Sequence, residues 1–137
     1  MNMQNAFQNL NWLSIVLAAV SSFFLGFLWY SVLFTKRWMK ENNFTPESQK
    51  GANMLKIFGL SFLLMIFAAF NLAMFIGKGA GAAFGSMAGF LAGLGWVFTF
   101  LGVIYLFERK SLSLFLINAC YSVLSLTIMG LIIGLMQ

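Results

Sequence analysis

The chain has 137 residues, of which 61% are hydrophobic and 8% charged, with a net charge of +5 at pH 7. A soluble domain carries roughly 25% charged residues and needs them to cover its apolar surface, so this composition argues against a water-soluble fold. With no histidine, three acidic residues and one cysteine, the chain is also short of metal ligands, nucleophile–base pairs and disulfide partners, and no metal, cofactor or charged catalytic centre is expected.

The basic residues stand between apolar blocks rather than on one face interleaved with stacking aromatics, so nucleic acid is not the expected partner; the lipid bilayer is. Residues 1–35, 57–77, 79–107 and 111–137 hold no Asp, Glu, Lys or Arg. Each block supplies the ~20 residues that a helix needs to cross a ~30 Å hydrocarbon core. Continuous rather than alternating apolarity favours helices over barrel strands. The predicted fold is an all-α, polytopic integral membrane four-helix bundle, a single domain over 1–137 with spans at about 11–34, 54–76, 82–107 and 112–135.

A short tail, 1–10, precedes the first span. No Lys or Arg comes before that span, its apolar run is long and no small-x-small cleavage site comes after it, so it is expected to stay in the mature protein rather than act as a cleaved signal. It carries a stripe of small residues, Ser14, Ala18, Ser22 and Gly26. The loop 35–53 holds most of the charge. Within it Thr45-Pro46-Glu47 reads as a helix start, with a capping threonine, a proline suited to the first helical position and a glutamate at the positive dipole end. The second helix is therefore expected to begin before the membrane and to carry Lys50 and Lys56 on its first turns. Asn71 lies inside the second span, where a carboxamide should face protein or water.

Gly77-Lys78-Gly79-Ala80-Gly81 makes a tight turn into the third span. It fits a loose nucleotide-loop pattern, but no strand precedes it. Gly81, Gly85, Gly89 and Gly93 then recur every fourth residue and form a glycine-zipper groove ~18 Å long. Small residues at this spacing serve packing within one chain and between protomers alike, and both remain open here; a homo-oligomer, as small as a dimer, is the expected assembly. Glu108-Arg109-Lys110-Ser111 forms the last connection. In the fourth span Asn118, Tyr121, Ser122 and Ser125 share a face, read either as a polar lining for a solute path or as interhelical hydrogen bonding. Gly130 and Gly134 end that span.

Orientation is set by charge. Lys36, Arg37, Lys40, Lys50 and Lys56 flank the first connection, Arg109 and Lys110 lie in the third, and Lys78 alone lies in the second. Cytoplasmic loops retain Lys and Arg, so the first and third connections are assigned inside and both termini outside, in the cell's inner (cytoplasmic) membrane. Arg109 and Lys110 also suit an anionic headgroup. The Asn43-Phe44-Thr45 glycosylation pattern then falls inside. No Asp, Glu, His or Arg sits within a span, which argues against a proton-coupled pump or voltage sensor. A weak parallel repeat pairs Phe27-Leu28 with Phe100-Leu101 and Leu33-Phe34 with Leu106-Phe107.

Asn11-Trp12-Leu13, Leu28-Trp29-Tyr30-Ser31, Leu33-Phe34 with Trp38-Met39, Gly93-Leu94-Gly95-Trp96, and Leu106 to Ser111 continuing through Ile117-Asn118-Ala119 together resemble the domain of unknown function 1761 family. The resemblance runs collinearly from about residue 10 to the end and implies a small four-span protein, without an activity to carry over. Val32 stands where the family pattern has proline, and Ser122 where many relatives have histidine. The expected function is a path or binding cleft for a small neutral solute or lipid; the rival is a non-transporting scaffold that stabilises a membrane complex. An intramembrane enzyme is the third reading.

Overall fold

The computed structural model describes residues 2–137, and among them every regular element is helical. Four helices, Trp12–Leu33, Met54–Ile76, Gly81–Phe107 and Leu112–Met136, are long and apolar enough to cross a membrane. The chain is thus a multi-pass, four-span membrane bundle. Three starts are written in capping side chains. Asn11 accepts from the Ser14 amide, Asn53 from the Lys56 amide and Ser111 from the Leu114 amide, each satisfying a donor that the helix leaves free. The third span starts without a side-chain cap. It leaves a turn in which Gly77, Gly79 and Gly81 hold φ of 70°, 76° and 85°, a region that side chains rarely adopt.

The loop 35–53 is more structured than expected. Thr35–Glu41 is a short helix. Pro46–Lys50 is another, opened by a reciprocal capping box between Thr45 and Ser48. The helix start at Thr45 is therefore present, but it does not run into the membrane. It ends at Gly51, and the second span starts afresh at Met54 because Asn53, with ψ of 90°, leaves helical geometry to cap it. Lys56 lies on that first turn; Lys50 does not. The tail also holds a short helix, Met3–Gln8.

The fourth span is the centre of the bundle, and the other three all pack against it. Ala18, Ala69, Ala73, Met129 and Ile133 are fully buried where the first, second and fourth spans meet. Against the third span the contact is backbone on backbone. A methyl group added at Gly85 would overlap the Gly130 carbonyl oxygen, one at Gly89 the Leu126 carbonyl oxygen, and one at Gly134 the Gly81 carbonyl oxygen. At Gly93 it would lie 2.7 Å from the Val123 Cα. Such an approach multiplies van der Waals contact, the main attraction left between helices when lipid is as apolar as leucine.

The first span meets the fourth through its own small-residue stripe. Ser14, Ala18 and Ser22 are buried, and Gly26 faces the Tyr121 ring, whose oxygen would lie 3.3 Å from an added Cβ. Both termini gather at one end, where Asn11 Nδ2 donates to the Met136 carbonyl at 2.9 Å. There the Gly79 amide donates to the Gln137 carbonyl at 3.1 Å, and Gln137 Nε2 to the Ala73 carbonyl at 3.0 Å. The loop 35–53 and the connection 108–111 lie at the other end.

Two segments depart from α geometry: Leu28–Leu33 in the first span and Gly93–Phe98 in the third are π-helical. A π turn inserts one residue and rotates the remainder of the helix, a local change that hydropathy does not register. Leu101, the repeat partner of Leu28, lies in regular α-helix, so the π turn is not a shared feature of the repeat.

Candidate functional site: an amide and phenol cluster on the fourth span

Asn118 sits in the charged-end half of the fourth span and joins three helices. The Tyr30 hydroxyl of the first span donates to its Oδ1 at 2.7 Å. Its Nδ2 donates to the Tyr105 hydroxyl of the third span at 2.8 Å. One turn on, the Tyr121 hydroxyl donates to the Ser22 carbonyl at 2.9 Å, and the Tyr30 and Tyr121 rings meet edge to face at 5.2 Å. All three tyrosines of the chain thus stand around one carboxamide or its neighbour. Trp29 Nε1 donates to the Ile117 carbonyl at 2.9 Å, so two adjacent residues of the π segment both engage the fourth span. The Thr35 hydroxyl closes that segment on the Tyr30 carbonyl at 2.8 Å.

The bonds form a directed chain. Tyr30 gives its proton to Asn118, and Asn118 gives one of its own to Tyr105. The Tyr105 hydroxyl, having accepted, keeps its proton, and among the described residues it donates to nothing. Bonds in series polarise one another, so the terminal hydroxyl is a strengthened donor. Tyr105 is half-buried, and its free proton is the unspent polar valence of the cluster.

The other singled-out polar residues divide. Ser125 shares a buried hydrogen bond with Ser22, oxygen to oxygen 2.7 Å. Ser122 donates to the Asn118 carbonyl four residues back at 3.0 Å, as serines in apolar helices commonly do. Asn71 belongs to neither group. It is exposed on the outer face of the second span, and Nδ2 donates to the Phe67 carbonyl of its own helix at 2.8 Å. The physical reason is angular. The buried face of that span carries Ala69, Leu72, Ala73 and Ile76, and Asn71 points away from it.

At the charged end, Lys40, Arg109 and Lys110 line an open recess of about 440 Å³ between the first and third connections. Arg37 instead pairs with Glu41 one turn along its helix, nitrogen to oxygen 3.1 Å, and Lys36 lies outside the recess. Among the described residues no three His, Cys, Asp or Glu side chains group to hold a metal ion. Cys120 is exposed.

Trp29, Tyr30 and Tyr105 belong to the cluster although sequence reasoning does not single them out as site residues, because anchoring at the membrane interface is a sufficient role for an aromatic near a span end. The signal that sets the first two apart is the Leu28-Trp29-Tyr30-Ser31 motif. No curated protein and no solved structure matches the chain. Residues 13–134 match the family described as a protein of unknown function, DUF1761, and the chain belongs to that family.

Proposed function

We propose that the chain is a binding protein of the inner membrane that holds a small neutral solute or lipid by an acceptor oxygen at Tyr105. The free Tyr105 proton carries this reading. A donor proton left without an acceptor inside a bundle is unfavourable, and a ligand carbonyl, ester or ether oxygen would accept it. A neutral ligand fits best, because the spans offer no charge to pair with an ion beyond Lys56 at the edge of the second. The groove of Gly81, Gly85, Gly89 and Gly93 acts in this reading as an intramolecular glycine zipper that holds the third span, and Tyr105 with it, at a fixed distance from Asn118. The charge bias puts this end of the cleft on the cytoplasmic side, with both termini outside.

The test is photolabelling of the purified chain in phosphatidylcholine vesicles with a photoreactive diacylglycerol. Wild type and Tyr30→Phe should label at the third and fourth spans, while Tyr105→Phe, which removes the free donor, should label several-fold less. Equal labelling of all three would overturn the reading.

A second reading has its own observation. Leu60, Leu64, Phe67 and Asn71 succeed one another in steps of four, three and four along the outer face of the second span, and the Asn71 Oδ1 has no donor among the described residues. A polar residue at one such position sets register in paired helices, and an Asn71 pair across a two-fold axis would make the protein a homodimer or a scaffold. Interhelical amide bonds in lipid contribute about 1–2 kcal/mol in peptides, so Asn71→Leu should weaken a dimer roughly tenfold in sedimentation. An unchanged dimer, or no dimer in wild type, removes this reading.

A further inference from the structure

We infer that the recess between residues 40–43 and 108–111 is a binding site for the phosphate of an anionic phospholipid headgroup. Three cations reach it, Lys40, Arg109 and Lys110, against two carboxylates, Glu41 and Glu108. Glu41 is already engaged, by Arg37 at 3.1 Å and by the Ser111 hydroxyl, so one carboxylate faces three positive charges.

The two helix ends that border the recess close alike. The Phe44 amide donates to the Met39 carbonyl and the Asn43 amide to the Lys40 carbonyl; the Lys110 amide donates to the Tyr105 carbonyl and the Arg109 amide to the Leu106 carbonyl. Terminal carbonyls that would repel an anion are thereby occupied. This closure needs a residue at positive φ, where glycine is the cheapest choice, yet Asn43 and Arg109 both stand there at 55°. Holding a side chain in that conformation is unfavourable relative to glycine. At residue 109 the chain accepts that cost and gains a guanidinium on the recess wall, the group best matched to phosphate oxygens.

A lipid rather than a free phosphate is the occupant that fits, because the recess adjoins side chains that only hydrocarbon would cover. Leu106, Phe107 and Leu112 are 80%, 85% and 70% exposed, and they flank the cationic residues in the chain. Headgroup and acyl chain thus find their complements on adjoining surfaces.

The experiment uses the full chain purified from mixed phosphatidylglycerol and phosphatidylcholine vesicles, with retained lipids counted by mass spectrometry. Wild type should enrich phosphatidylglycerol. A cation near an anionic surface is worth about fivefold in partition, so Arg109→Gly should lower the enrichment about fivefold while raising the melting temperature, since glycine relieves the positive φ. Lys40→Gln, on the other element, should lower it comparably, and Lys78→Gln, at the far end of the bundle, should leave it unchanged. No enrichment in wild type, full enrichment in Arg109→Gly, or an equal loss in Lys78→Gln would overturn the assignment. So would inorganic phosphate alone raising the melting temperature as much as phosphatidylglycerol does, because free phosphate would then be the ligand.

Discussion

The fourth span is held on its two sides by different physics. Toward the third span it offers Gly130 and Gly134 and meets glycines, with carbonyl oxygens seated where side chains would be. Toward the first span it offers Asn118, Tyr121 and Ser125 and meets a phenol, a carbonyl and a hydroxyl at 2.7–2.9 Å. The glycine side is steric and has no intermediate state, because an added carbon either fits or drives two backbones apart. The polar side is graded, because each bond can be lost singly and its partner can sometimes find another. In hydrocarbon, where burial of apolar surface drives little association, the first device sets the distance between helices and the second sets their register and rotation.

The largest effect should come from the steric side. Gly89→Leu has no route to relax, since the clash is with the Leu126 backbone and not with a mobile side chain, and it should cost more than about 4 kcal/mol. In practice the purified protein would not be recovered as a folded species by size-exclusion chromatography. Gly59→Leu and Gly95→Leu sharpen the contrast, because nothing lies within 4 Å of a Cβ at either position and both should be recovered normally. Failure of all three alike would mean that bulk in a span, rather than the seam, decides recovery. On the polar side, Asn118→Leu strips the partner from both Tyr30 and Tyr105, and unpaired buried groups cost about 1–3 kcal/mol each. It should lower the detergent melting temperature clearly while leaving a folded protein.

The same division governs how much was legible in the sequence. The four spans could be read because charge is nearly absent from them, whereas the caps that start three of them, Asn11, Asn53 and Ser111, had to be placed by the fold. The spacing of Gly81, Gly85, Gly89 and Gly93 announces a groove, but a groove made of missing side chains carries no mark of its partner, so Gly130 and Gly134 had to be placed by the fold. Asn118, Tyr121 and Ser125 stand out as polar groups in an apolar block. Tyr30 and Tyr105 do not, because tyrosines near span ends already have an adequate interfacial role, and the π turn that sets Trp29 and Tyr30 against the fourth span leaves no trace in hydropathy. Asn71 was visible as an unusual residue. Its direction was not, since one polar residue in an apolar helix does not say which way the helix faces.

Within the polar side a finer comparison separates bonds between helices from bonds within one. Ser22→Ala leaves the Ser125 hydroxyl without its partner in a buried site, at about 1–2 kcal/mol. Adding Ser125→Ala removes both ends of the bond, so the double variant should lose less than the two singles together. A strictly additive double variant, measured by thermal melting in one detergent, would mean that the hydroxyls do not interact.

Ser122→Ala is the smallest expected effect and the most informative control. Its hydroxyl donates only to the Asn118 carbonyl of its own helix, a carbonyl that the helical ladder also serves, and such back-bonding slightly disfavours a straight helix. Alanine has the better helix propensity by about 0.5 kcal/mol, so the melting temperature should hold or rise slightly. Ser122 and Ser125 lie less than one turn apart on the same helix, and their composition and depth in the membrane are nearly the same. The difference in outcome therefore isolates whether the partner belongs to another helix. A loss at Ser122 as large as that at Ser22 would place a second helix against it, and since among the described residues no other helix bonds there, that helix would have to come from another protomer.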